Sequence, residues 1–488
     1  MSKKILYIII SIFFAALLIF ACAWFVQDED AKEVPAVTWY VPGTMQSDIN
    51  KVMDEVNKIA VPQIGAKLKI EFFDESAYYE KISLCLASKS SDYDLCFVGF
   101  LNEYQNAVRK GSLLDLSEYI EEYPSLKSSI PDYAWDMSKA DGKIYGIPNM
   151  QILATSLCWT FPQRLIDKYS INIDSIKNSD DVEPYLEIIK NSEPNLYPAR
   201  IEWGPGTFKA PDFVEYFANS LVCVENDESG RLIAKATVDS EWYRKNVEKL
   251  NRWYKRGYIR KDIAAVNDDL IDFYAGKYAA YIQKYKPGIE AQSDMSMNEE
   301  MVCVQITEPF VNSTATQSAM TGINKYSRNP EKAMEVINLV NTNPEVYNLL
   351  CFGIEGEHYI KIGENKIKYI PDSKYAPKAA WKFGNQFNAF TLEGESDDVW
   401  EQTEKINNNA KKSKIMGFTF NTEKINSELS ECTAIKEEYP AIENGSVDPK
   451  EYFDEYRYKL KANGIDKIVQ ELQMQIDEFI NAKQEHSC

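Results

Sequence analysis

The chain is poor in the residues that most catalytic motifs require. Among 488 residues there are two histidines, His358 and His486. No HExxH, GxSxG, P-loop or GxGxxG pattern occurs, so the common zinc, serine and nucleotide chemistries lack their parts. Nine cysteines are present, but no two stand as CxxC, which excludes zinc-knuckle and thioredoxin-like readings. Several lie in apolar contexts ("SLCLA", "DLCFV", "SLCWT"), where a free thiol behaves as a small buried hydrophobe. Runs of basic residues with interleaved aromatics are missing too. With a formal net charge of −20, the surface repels phosphate backbones and excludes nucleic acid as the expected partner. There is no internal repeat and no low-complexity segment. No cofactor is expected, and no metal. One chemistry escapes these exclusions: a glycosidase needs only two well-placed carboxylates, and the chain has 74 acidic residues.

What is there begins with a leader. Two lysines, Lys3 and Lys4, precede a stretch from Ile5 to Val26 that carries no charge. This is the layout of a secretory signal, with the lysines staying inside and the rest working outside the cell. The run "IFAC" resembles a bacterial lipoprotein box, which would make Cys22 the lipidated first residue of the mature chain. The apolar run continues past Cys22 as "AWFV", and its whole length suffices to cross a bilayer, so an uncleaved anchor is the alternative. In either form the leader tethers a body with 45% hydrophobic and 26% charged residues, an ordinary globular composition.

Along that body, "AVTWYV" reads as a strand and "DINKVMDEVNKIAVPQIG" as a helix. The helix carries Ile49, Val52, Met53, Val56, Ile59 and Ala60 on one face, with Pro62 ending the pattern. "KLKIEFFD" alternates as a second strand, "SAYYEKISLCLASK" is helical, and "YDLCFVGF" is a short buried strand. Strand–helix–strand–helix–strand predicts a parallel α/β sheet. After Gly111, a helix-stop candidate, "DGKIYGIPN" and "ILATSLCWTF" read as strands. The stretch 161–300 is expected to be mainly helical with a short strand at "YAAYIQKY". "GIDKIVQELQMQIDEFINAK" is an amphipathic helix with Ile465, Ile468, Val469, Leu472, Ile476, Phe479 and Ile480 in one stripe.

Several separated pieces together resemble the extracellular solute-binding lipoproteins of bacterial ABC importers, in their carbohydrate-associated branch. "SSDYDLCFVGF" is similar to the element closing the first unit of that family. "RKGSLLDLSEYIEEYPSLKSSIPDYAWDMSKADGKIYGIPN" resembles its most specific segment, and "FYAGKYAAYIQ" and "NKYSRNPEKAMEVINLV" resemble two later ones. The region from "WKFGNQFNAF" through "MGFTFNTEKINSEL" to the end resembles the C-terminal part particular to this branch (DUF3502-like). The resemblance implies a two-lobe, type 2 periplasmic-binding-protein-like α/β fold whose hinge closes on ligand. By position, residues 1–26 are the signal or anchor and 27–35 a linker. The first lobe would take 36–136 with a return at 317–352, and the second 137–316 with 353–482, leaving 483–488 as a tail. The crossings are expected near Asp136–Asp141, Thr316–Thr321 and Gly353–Glu357.

A sugar presents an apolar C–H face and a rim of hydroxyls, so it needs flat aromatic rings and planar polar groups. Ligands in open α/β sheets lie beyond the carboxyl ends of strands. That rule selects Tyr40, Asp74, Phe100 and Glu103 in the first lobe, against the plainer alternative of strand-end packing. From the family pattern come Asn149 and Gln151 after "YGIP", and Gln283 and Tyr285 after "YAAYI". Glu202 and Trp203 stand in the turn-rich "IEWGPG", and Trp381, Asn385 and Gln386 in "WKFGNQF". Here the alternative is packing within or behind a lobe core. The function implied is capture of a solute, an oligosaccharide first, and its delivery to ABC permease subunits at the outer face of the cell membrane. A peptide or other polar solute, or a secreted glycoside-processing enzyme, is the rival.

Overall fold

The computed structural model describes residues 34–485 apart from 100–102, 141, 203–207, 209–213 and 267–268, together with the side chains of all but Ser76, Glu103 and Glu485. In chain order the elements used below are β1 (Ala36–Pro42), α1 (Ile49–Ile64), β2 (Lys67–Phe73), α2 (Glu75–Ser88), β3 (Leu95–Phe97), α3 (Glu103–Arg109), α4 (Asp132–Ser138), β4 (Ile147–Pro148) and β5 (Ser156–Pro162). Then come β6 (Tyr281–Tyr285), β7 (Met301–Gln305), β8 (Met320–Ile323), α5 (Pro330–Thr342), α6 (Pro344–Phe352) and the long α7 (Ile465–Glu485).

The first sheet has the order β2-β1-β3-β8-β4. β1 runs parallel to both β2 and β3, with Trp39 level with Ile70 on one side and Leu95 on the other, while β8 is antiparallel to β3 and β4. The expected parallel unit is therefore present, closed on one side by a strand from much later in the chain. On α1, Ile49, Val52, Met53, Val56 and Ala60 are buried against the sheet. The helix passes through Pro62 to Ile64, because a proline in the last turn forfeits only one backbone hydrogen bond. It stops at Gly65, whose left-handed φ of 61° directs its N–H back to the Val61 carbonyl at 2.9 Å.

A second sheet, β6-β5-β7, is antiparallel and belongs to a separate core with Trp159, Phe161, Trp253 and Ile282. Between its strands the chain is less helical than expected. Strands Val214–Phe217, Val222–Asn226 and Leu232–Ala236 form an antiparallel meander, joined through Ala218, Asn219 and Ser220 at positive φ and through a turn at Asp227–Gly230. Each strand is too short for alternation to stand out against a helical window. α7 lays Ile465, Ile468, Leu472 and Ile476, all buried, onto this meander, with Val469, Phe479 and Ile480 half-buried beside them. The stripe read from the sequence is the one that packs.

The hydrophobic cores divide the chain elsewhere than the expected boundaries. Residues Tyr359, Ile367, Tyr375, Phe383, Ala389 and Ala410 share one core with β1, β2, α1, α5 and α6, and only the chain after 411 joins the meander core. The reason is local: Phe383 stands edge-on to Trp39 and Phe72, at 5.9 and 6.2 Å between ring centroids. The chain passes between the first core and the other two through neighbouring segments at 149–155, 306–311 and 410–413. There Thr155 bridges Phe310, and Phe310 and Val311 pair in parallel with Lys411 and Lys412. The crossing expected at Gly353–Glu357 is instead a turn inside the first core.

The cysteines follow expectation. Cys85, Cys96, Cys158, Cys223, Cys303, Cys351 and Cys432 form no disulfide among the described residues, and all but Cys85 and Cys303 are buried. Cys22 and Cys488 lie outside the described residues.

Candidate functional site

Two concavities meet the requirements of a polar-solute site. The smaller, of about 350 Å³, lies beyond the carboxyl ends of β1 and β2 and is lined by Gly43, Thr44, Asp74, Glu75, Pro377 and Trp381 among others. Lys382 builds it from beneath. Its ammonium is buried, donates to the Pro42 carbonyl at 3.0 Å, pairs with Glu75 at 3.1 Å, and lies 4.7 Å from the center of the Trp381 ring. The indole packs edge-on against Phe97 at 5.6 Å. An aromatic ring is thus held next to the carboxylates of Asp74 and Glu75, the pairing of flat apolar surface and hydrogen-bond acceptors that a sugar needs.

The larger concavity, of about 1310 Å³, runs between the two halves of the molecule. One wall is α3, α4 and the residues Lys139, Ala140 and Gly142; the other is the segment 412–424 and the last turns of α7. Its rings are partly covered by cations: Lys412 lies 4.6 Å from the Tyr133 ring center and Lys483 lies 5.7 Å from that of Phe479. Arg109 reaches Asn106, and Lys139 pairs with Asp136 at 2.8 Å. Sequence reading found none of these groove residues. In the sequence the "MGFTFN" stretch counts only toward the C-terminal resemblance, and the α7 stripe reads as the apolar face of a helix.

The residues singled out in the sequence fare unequally. Asp74 and Trp381 come together in the smaller pocket. Glu202 is exposed and accepts from Arg200 at 2.9 Å. Gln151, Tyr285 and Gln386 are half-buried, Tyr285 at the end of β6 beside Ser156 and Gln386 with its N–H on the Met150 carbonyl at 2.8 Å. Others are spent internally. Tyr40 is buried, stacks on Tyr93 at 5.0 Å, and burial pushes its hydroxyl up to about 12, so it is core rather than a platform. Asn149 is buried, donating to the carbonyls of Lys382 (2.9 Å) and Trp381 (3.3 Å) and accepting from the Thr321 hydroxyl (3.0 Å). Gln283 gives its amide hydrogens to Thr160 at 2.8 Å and Ser293 at 2.9 Å. Asn385, also buried, accepts from the Phe387 N–H at 3.1 Å and caps the turn that follows Trp381. Phe100 and Trp203 lie outside the described residues, as does the Glu103 side chain.

One cluster has metal-ligand composition: Asp48, Glu357 and His358 bring ligand-type atoms within 4.8 Å of one another. The hydrogen bonding opposes that use. His358 Nδ1 accepts the Ile354 N–H at 2.9 Å, which places the imidazole proton on Nε2, facing Asp48 Oδ2 at 3.3 Å. No nitrogen lone pair is left for a cation. The arrangement depends on Gly353, at φ 81°, where a Cβ would stand 2.5 Å from the imidazole Nδ1.

An α/β molecule with two sheet-centred cores, chain crossings between them and a groove along their junction defines a class of binding proteins whose ligand lies between lobes. The model of the family described as bacterial extracellular solute-binding protein matches residues 50–346, and the chain belongs to that family. Residues 414–481 match a domain of unknown function, DUF3502. The chain is 29% identical over 462 residues, 93% of each chain, to a carbohydrate ABC transporter substrate-binding protein of Streptococcus pneumoniae. Its fold is similar to the crystal structure of the N-glycan transport solute-binding protein NgtS of Streptococcus pneumoniae, with TM-score 0.83, 28% identity and coverage of 92% of this chain and 100% of that one. Against NgtS in complex with Man5GlcNAc the TM-score is 0.71, at 29% identity, covering 92% and 99%. No described helix is long and apolar enough to cross a membrane.

Proposed function

We propose that this protein captures an oligosaccharide between its two lobes outside the cell and delivers it to the permease subunits of an ABC importer. The observation that carries the reading is the near full-length similarity to a carbohydrate-binding importer component and to NgtS. The site chemistry supports it, since Trp381 beside Asp74 and Glu75 offers a ring and acceptors at the ends of β1 and β2. The groove, at about 1310 Å³, exceeds the roughly 300–1,000 Å³ usual for drug-sized ligands and so suits a ligand of several sugar units. Lobe closure is part of the reading. The similarity to NgtS drops from 0.83 to 0.71 when that protein holds Man5GlcNAc, as it would if the arrangement described here were the open one. The protein acts by binding, without chemistry on the glycan, and Cys22 carries the lipid that keeps it at the membrane.

Calorimetric titration of the detergent-solubilised protein with a panel of neutral oligosaccharides, Man5GlcNAc first, tests the reading. Binding without product formation, together with a smaller radius of gyration in small-angle scattering, is the expected result. Glycan cleavage, or tight binding of a peptide and of no glycan, would overturn it.

A further inference from the structure

Arg200 uses every part of its guanidinium. Nε lies 2.9 Å from one oxygen of Asp269, a second nitrogen lies 2.8 Å from the other oxygen, and the remaining nitrogen donates to Glu202 at 2.9 Å. Its flat face lies 4.3 Å from the center of the Phe273 ring. The arginine is 8% exposed, Asp269 18% and Glu202 45%, so one buried cation joins an inner carboxylate to an outer one. The inner carboxylate is fixed independently by the Tyr278 hydroxyl at 2.8 Å, and Tyr278 in turn is held by Arg260 at 3.1 Å. The outer carboxylate has no further partner among the described residues.

The backbone places this pair at the edge of the second sheet, in a segment that runs toward the chain crossings between the cores. Residues 197–200 run parallel along the outer side of β6, through bridges from Tyr197 to Tyr278 and from Arg200 to Tyr281. The Arg200 N–H is anchored on the Ala280 carbonyl at 2.9 Å. β6 ends at Tyr285, opposite Ser156, where the chain crosses between the cores. Glu202 follows two residues after Arg200 in that same direction.

We infer that Arg200 is the positioning residue for Glu202, and that Glu202 is the second lobe's carboxylate for the hydroxyls of the captured glycan. A carboxylate accepts two hydroxyl hydrogens from neighbouring carbons of a sugar only when its plane is fixed, and a free glutamate would lose rotamer entropy on binding. Arg200 removes that freedom in advance, with its own position set by Asp269 and the Phe273 ring. Lysine could not replace it, because a single ammonium does not present a planar fork to two carboxylates.

The inference rests on the glycan-capture reading, and the experiment separates the two. Dissociation constants for Man5GlcNAc, or for the panel member that wild type binds best, are measured for wild type, Glu202→Gln, Glu202→Asp, Arg200→Lys and the Glu202→Gln/Arg200→Lys double variant, each with a melting curve. Glu202→Gln and Glu202→Asp are expected to weaken binding about tenfold or more with the melting temperature unchanged. Arg200→Lys is expected to weaken it by a similar factor, and the double variant to bind no worse than either single one. Wild-type affinity in both Glu202 variants would overturn the inference, as would full additivity in the double variant. If Arg200→Lys does not fold, the Glu202 variants alone decide. Failure of wild type to bind any glycan overturns the functional reading itself, and the inference with it.

Discussion

The side-chain amide of Asn149, at the end of β4, donates to the backbone carbonyl of Lys382 at 2.9 Å and thereby fastens the segment bearing Trp381 to the first sheet. The same side chain accepts from the Thr321 hydroxyl of β8 at 3.0 Å. One buried amide thus joins two strands of the sheet to the indole that lines the strand-end pocket. Removing it leaves two carbonyls and a hydroxyl short of a partner. Asn149→Ala is expected to cost about 1–3 kcal/mol of stability, the usual penalty for unsatisfied buried polar groups. Denaturant unfolding followed by circular dichroism checks the value.

Trp381 itself is half-buried, with one edge on Phe97. Trp381→Ala is expected to weaken glycan binding by roughly 1–3 kcal/mol, the scale of losing an aromatic anchor. Melting should fall only modestly, because much of the ring is not enclosed by core. Calorimetric titration beside a thermal melt gives both numbers, and unchanged affinity would remove the ring from the site.

Glu215 gives a pH signature. The residue is 6% exposed, and burial pushes its carboxyl up to about 7, against a lowering by the hydrogen bond from Ser413 in the chain crossing. Between the unfolded value of 4.5 and about 7, the folded protein keeps this proton while the unfolded chain has lost it. Stability from this group therefore falls as pH rises through that window and levels off above it, by about 3 kcal/mol in all. Glu215→Gln should flatten that part of the profile and raise stability at pH 8. Melting temperatures from pH 4 to 9 for both proteins provide the check.

On α7, Leu472 is fully buried and Met474 is 41% exposed two residues later. Leu472→Ala is expected to cost about 2–5 kcal/mol, while Met474→Ala should stay within about 0.5 kcal/mol. Unfolding curves of the two variants, compared directly, test whether the helix is held by the stripe on its meander-facing side.

Local periodicity made much of this protein legible in its sequence. The spacing of Ile49, Val52, Met53, Val56 and Ala60 specified α1 and its buried face, and the α7 stripe did the same, because the hydrophobic effect acts on every turn of an amphipathic helix. The β1–α1–β2–α2–β3 order carried the parallel sheet, since short crossovers leave few other topologies. What tertiary structure alone decided are the relations between residues far apart in the chain. Phe383 seats beside Trp39, so the stretch after 353 returns to the first core instead of leaving it. Asn149 and Gln283, ligand contacts by the family pattern, give their hydrogen bonds to the protein. Burial of a polar group demands a partner, but the sequence does not say whether that partner is a sugar hydroxyl or a backbone carbonyl 233 residues away. Only the folded chain, by bringing the carbonyl within reach, makes that choice.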